Sequence, residues 1–102
     1  MSPLFHHPTT HERSIDDFLI HDRDASFMLT VEGDAWIDDG IYAGDMIIVE
    51  RGRTPRTRDL VLTVTEGTFT LATYSSVTSR QEADGPTTIE AVVTAVIRKL
   101  IP

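Results

Sequence analysis

Apolar residues recur with two different periods along this chain. Between Ser14 and His21, Ile15, Phe18 and Leu19 fall at i, i+3 and i+4, which sets them on one face of a helix. Ser14 and Asp17 have capping-box spacing, so the pattern predicts a short amphipathic helix from about Ser14 to His21. Beyond residues 22–25 the period falls to two. Phe27, Leu29 and Val31 alternate with Met28, Thr30 and Glu32, as a half-buried strand requires, and Gly33 ends the run. Met46–Glu50 reads as an apolar strand. Leu60–Thr65 and Thr68–Thr73 are rich in β-branched residues, and Glu66-Gly67 between them predicts a two-residue hairpin turn. Ile89–Leu100 is long enough for a helix, but Val92, Val93, Thr94, Val96 and Ile97 favour a long strand.

The intervening stretches are polar and rich in turn formers. Residues 1–13 (MSPLFHHPTTHER) show no periodicity and read as an arm preceding a single domain, 14–102. Asp34–Gly44 predicts a tight loop with at most one helical turn. Arg51–Arg58, broken by Gly52 and Pro55, and Ser75–Thr87, with Asp84-Gly85-Pro86, are expected to be loops. Five or six strands and one short helix make a mostly-β domain, expected as a strongly bent sheet or partial barrel.

Composition narrows the function. A chain of 102 residues supports one modest core. Nine basic against sixteen acidic residues leave a formal charge of −7, which argues against direct nucleic-acid binding. The absence of cysteine excludes disulfides, thiolate metal sites and cysteine nucleophiles. The longest apolar run falls well short of the ~20 residues of a membrane span, and no signal-peptide layout is present. The expectation is a soluble, cytoplasmic domain without cofactor. Eight of the nine basic residues are arginine; Lys99 is the sole lysine and so the sole lysine candidate for a general base.

Most other clusters have ordinary explanations. His7 and His11 stand four apart with His6 beside them, but Pro8 interrupts the helix such ligation needs, so no metal site is expected. His21 suits a dipole partner at the helix end. Asp16-Asp17, Asp22/Asp24 and Asp38-Asp39 lack cation-loop spacing and read as solvated surface. Arg51, Arg53, Arg56 and Arg58 form a basic loop that either pairs with the protein's own carboxylates or docks an acidic partner; own-carboxylate pairing is the preferred reading.

One constellation is more specific. Val31–Glu50 (VEGDAWIDDGIYAGDMIIVE) carries Gly33-Asp34, then Gly40-Ile41, then Gly44-Asp45 before an apolar strand. This resembles the LexA/UmuD family of self-cleaving serine–lysine peptidases, where a strand-ending glycine opens G-D-S-M, followed by G-I and G-D. Gly67-Thr68-Phe69-Thr70-Leu71 is similar to the family's G-E-F-T-V, and Ala91–Arg98 to its final G-V-V strand. The likeness covers most of residues 15–100. It implies the family's bent sheet, a signal-peptidase-like β-clip with one short N-terminal helix.

The same resemblance implies a missing catalytic pair. In the family the serine attacks a peptide bond of the protein's own N-terminal arm, and a desolvated lysine at the end of the hairpin strand takes its proton. Those positions here are Ala35 and Ala72. Neither methyl group attacks a carbonyl or accepts a proton. Ser26, Ser75, Ser76 and Ser79 lie outside the motif, and Lys99 belongs to another strand. Gly33, Asp34, Trp36 and Ile37 are expected to line the cleft beside Ala35, with Ala35 and Ala72 facing each other across it. Trp36 replaces the family's methionine, and the segment between Tyr74 and Ile89 is shorter by about a hairpin of ~5–6-residue strands.

No Ala-Gly or Cys-Gly dipeptide precedes residue 35, and the chain begins about where a cleaved member would. The resemblance is therefore to processed UmuD. It implies a catalytically inactive homodimer associated with a translesion DNA polymerase and the RecA filament in the SOS response, with Ala91–Ile97 suited to pairing across subunits. The alternative is an engineered dyad knockout, or a redesigned and shortened scaffold with a ligand pocket at the vacated site. Trp36 and the deletion favour decay or redesign over simple knockout.

Overall fold

The computed structural model describes residues 14–80 and 88–101. Ser14 caps helix α1 (Ile15–Leu19) by accepting the Asp17 N–H at 3.0 Å. The helix stops short of His21 because Ile20 is already extended, its N–H still reaching the Asp16 carbonyl at 2.8 Å. His21 therefore lies beyond the helix end rather than in its last turn. Ile15 and Phe18, on the helix's apolar face, are exposed.

Five strands follow: β1 (Ser26–Thr30), β2 (Met46–Glu50), β3 (Leu60–Thr65), β4 (Thr68–Thr73) and β5 (Thr88–Ile97). They form one antiparallel sheet in the order β1-β2-β5-β3-β4. The β3–β4 hairpin turns at Glu66-Gly67, both with positive φ (51° and 79°), the backbone that a two-residue primed turn demands.

One expectation needs correction. Part of the polar stretch after Thr73 is not loop but helix α2, Tyr74–Arg80. Its stability comes from sources that hydrophobic periodicity does not register. Thr73 Oγ1 accepts the Ser76 N–H at 3.3 Å as an N-cap, and Val77 is buried against Val61 and Val92. Within the domain β5 is the central strand of the sheet, shared end to end between two neighbours. β2 pairs with Val92–Ile97 on one side and β3 with Thr88–Val92 on the other.

The sheet has an apolar core on one face and a smaller cluster on the other. Val31, Ile41, Ile47, Val49, Leu62 and Ala91 pack together, while their neighbours Val61 and Val92 join Val77 of α2. Val61/Leu62 and Ala91/Val92 alternate between the two, as the period of two dictates.

Candidate functional site

The segment 31–45 folds back on itself at the end of β1. Val31 and the residues that close the turn exchange two backbone bonds, Val31 N–H to the Asp45 carbonyl at 2.8 Å and Gly44 N–H to the Val31 carbonyl at 2.9 Å. Inside this frame Ile37–Asp39 forms a single 3-10 turn, as the sequence predicted. Gly40 closes it at φ 80°, a left-handed conformation in which a β-carbon would be strained. The Trp36 carbonyl accepts both Asp39 N–H and Ile41 N–H at 3.0 Å, which fixes the backbone beside residue 35.

An ion pair between the buried Asp45 and the exposed Arg98 holds the frame to the end of the chain. Arg98, just past β5, donates Nε to Asp45 Oδ1 at 2.7 Å and Nη2 to Asp45 Oδ2 at 2.6 Å and to the Gly40 carbonyl at 2.8 Å. Its guanidinium lies 4.4 Å from the Tyr42 ring centroid, and Tyr42 N–H donates to Asp45 Oδ2 at 2.8 Å. The Arg98 bonds, aided by the Tyr42 amide, hold the Asp45 carboxyl at about 2, well below its ordinary 3.8, despite the opposing effect of burial. The sequence reading missed this clamp. Its only signals were an aspartate directly before an apolar strand and an arginine directly after another, 53 positions apart.

Beside the frame lies a cavity of about 380 Å³. Leu29–Glu32 at the end of β1, Ala35, Trp36, Ile47, Leu62 and Phe69–Leu71 of β4 line it. β1 and β4 are the two edges of the sheet, so the sheet bends enough to bring both edges to one cavity. Mostly aliphatic and aromatic walls with a few polar groups are the usual character of a binding cleft. Among the described residues lining it there is no serine, cysteine, histidine or lysine.

The structure distributes the expected site residues unevenly. Ala35 and Trp36 line the cavity, while Gly33, Asp34 and Ile37 belong to the turn that carries them and Ile37 is exposed. Ala72 is not brought to the same place. It pairs with Val61 and packs with the Val61–Val77–Val92 cluster, whereas its neighbour Leu71 packs with the main core and reaches the cavity. Residues 35 and 72 therefore do not face each other across the cleft: strand alternation sends the Ala72 methyl to the opposite face. Sequence reasoning also did not single out Leu29, Ile47, Leu62, Phe69 and Leu71 as lining residues, because cleft and core read alike in an alternating pattern.

The remaining clusters resolve individually. Arg51 pairs with Glu90 at 2.9 Å and lies over the Phe27 ring, and Arg53 pairs with the buried Glu50 at 3.3 Å. Arg56 and Arg58 have no ion-pair partner among the described residues. Asp16 pairs with Arg23, and Asp22 accepts the Asp24 N–H, so these carboxylates serve the local turn. His6, His7 and His11 lie outside the described residues. No helix among the described residues is long and apolar enough to cross a membrane.

Comparison with known proteins agrees with this framework. The chain is 29% identical over 63 residues to Protein SamA of Salmonella typhimurium, an alignment covering 62% of this chain and 45% of that protein. The chain thus matches less than half the length of that relative. Residues 3–81 match the family described as Peptidase S24-like, a span that contains the G-D…G-I…G-D frame, Ala35 and the β3–β4 hairpin. With its mostly-β antiparallel sheet and few short helices, the chain belongs to the S24-like peptidase family, which is the LexA/UmuD family.

Proposed function

We propose that this domain acts by binding and not by hydrolysis. The observation carrying that reading is the cavity wall, which includes Ala35, the residue that the resemblance aligns with the family's nucleophile, and offers no lysine or histidine base. Ala72, at the family's lysine position, sits in a valine cluster on the other face. The domain is then a cytoplasmic, dimerising accessory module. By kinship with UmuD, its partners are a translesion DNA polymerase and the RecA filament of the SOS response. The exposed Ile15 and Phe18 of α1 support an association surface, because large apolar side chains on a short helix gain by being covered.

Incubating the full chain, and separately presenting it with a peptide carrying an Ala-Gly bond, tests the reading by mass spectrometry. No cleavage is expected at any pH; cleavage by the chain as written overturns it. A double variant, Ala35→Ser with Ala72→Lys, bearing an N-terminal arm with that bond, tests whether these two positions can act as a dyad. Because Ala72 packs on the face opposite the cavity that Ala35 lines, an intact arm after long alkaline incubation is expected. Slow self-cleavage rising with pH, as the lysine loses its proton, identifies an otherwise competent peptidase disabled at two positions.

A further inference from the structure

The cavity beside the frame joins a buried apolar wall to an open aromatic one. Ile47 and Leu62, which line it, are 2% and 3% exposed, whereas Phe69 on β4 is 54% exposed. Phe69 belongs to neither core cluster, so packing of the fold does not account for an aromatic ring there. Trp36, half-buried, supplies a second ring. The volume of about 380 Å³ lies at the lower end of the ~300–1,000 Å³ usual for small-molecule sites.

Charge around the cavity has one sign. Glu32 is the only ionisable residue among those lining it. Both walls come from stretches without a lysine, arginine or histidine, residues 26–50 and 60–79. The first stretch carries Glu32, Asp34, Asp38, Asp39, Asp45 and Glu50, and the second carries Glu66. Asp45 pairs with Arg98 and Glu50 with Arg53; the other five have no ion-pair partner among the described residues.

We propose that this cavity binds a small organic cation, its apolar body against Ile47 and Leu62 and its amine beside the Glu32 carboxylate and the Trp36 and Phe69 rings. The proposal rests on the reading that the domain acts by binding, and names the ligand class of that same cavity. Burial of the body supplies affinity, and charge selects the ligand. A cation gains from the carboxylate and from the negative faces of aromatic rings, and an anion from neither. The net charge of −7 acts in the same direction at longer range.

Trp36 is the only tryptophan in the chain, so intrinsic fluorescence reports directly on the cavity wall. Phenethylamine, phenethyl alcohol and phenylacetate, similar in shape but cationic, neutral and anionic, are titrated separately against the full chain at neutral pH. Saturation is expected in that order of affinity, with the amine about two- to fivefold tighter than the alcohol and its advantage shrinking above ~0.1 M salt. Glu32→Gln is expected to bring the amine to the alcohol's affinity and to leave the alcohol unchanged. Ala35→Phe, at an exposed position of the wall, is expected to abolish both without lowering the melting midpoint. Absence of saturation, equal affinity of amine and alcohol, tighter binding of phenylacetate, or indifference to either substitution overturns the cation site. A Trp36 spectrum that changes with protein concentration alone also overturns it, since a second copy then covers the cavity. Hydrolysis is decided separately by peptide cleavage, so this site and the non-hydrolytic reading fail on different results.

Discussion

Asp45 and Arg98 show how far one pair of side chains can organise a site that neither of them lines. Their two hydrogen bonds, with the Arg98 bond to the Gly40 carbonyl, fasten the turn carrying Ala35 and Trp36 to the end of the sheet. The Asp45 carboxyl is held at about 2, below its unfolded value near 3.8. Folding therefore favours the ionised form, and the stabilisation is complete above about pH 4 and drains away as pH falls towards 2. Thermal melts across that window are expected to show a falling midpoint. Arg98→Met is expected to lower the midpoint at neutral pH and to flatten the acid limb, because the carboxyl then lacks the partner that depressed it. Arg23→Met removes an exposed pair, Arg23–Asp16, and is expected to change the neutral midpoint little. Equal shifts for the two arginine variants would refute the clamp.

At the scale of elements, the turns and strands were legible because their signals are local. Glu66-Gly67 predicted the hairpin, and the backbone there takes positive φ at both residues with open space around the Gly67 α-carbon. Gly67→Val should thus cost about 1–2 kcal/mol through backbone conformation alone, and Glu66→Asn should gain a few tenths to about 1 kcal/mol, both read from chemical denaturation. The alternation of β1, the apolar run of β2 and the β-branched run of β3 were equally readable, and Ile47, 2% exposed, joins the core to the cavity wall. Ile47→Ala is expected to cost about 2–5 kcal/mol of stability. What stayed hidden was set by tertiary partners. α2 is a serine- and threonine-rich segment held by the Thr73 cap and the burial of Val77, neither of which leaves a periodic trace. The direction of Ala72 was hidden for a related reason: a resemblance can align residue 72 with a catalytic position, but only the β3–β4 register, Val61 opposite Ala72, shows which face its methyl takes.

For the whole molecule, α1 is the feature whose surroundings least account for it. Five residues form about one and a half turns, against the ~12–15 residues at which an isolated helix becomes even marginal in water. The Ser14 cap and the exposed Asp16–Arg23 pair help, but each contributes on the order of 1 kcal/mol or less. Helices of this length are ordinarily held by burial of an apolar face, yet Ile15 is 74% and Phe18 71% exposed. Burying each side chain fully would add about 1.5–3 kcal/mol, and two copies meeting through α1 would bury four. The domain is accordingly expected to sediment above its 11.4 kDa monomer mass at high concentration, with α1 amides gaining hydrogen-exchange protection over the same range. Ile15→Asp with Phe18→Asp should return the mass to the monomer value and leave the melting midpoint of the sheet nearly unchanged, since neither residue reaches the core clusters. A double variant that still self-associates would place the interface elsewhere, and one that unfolds the sheet would show that α1 supports the core directly.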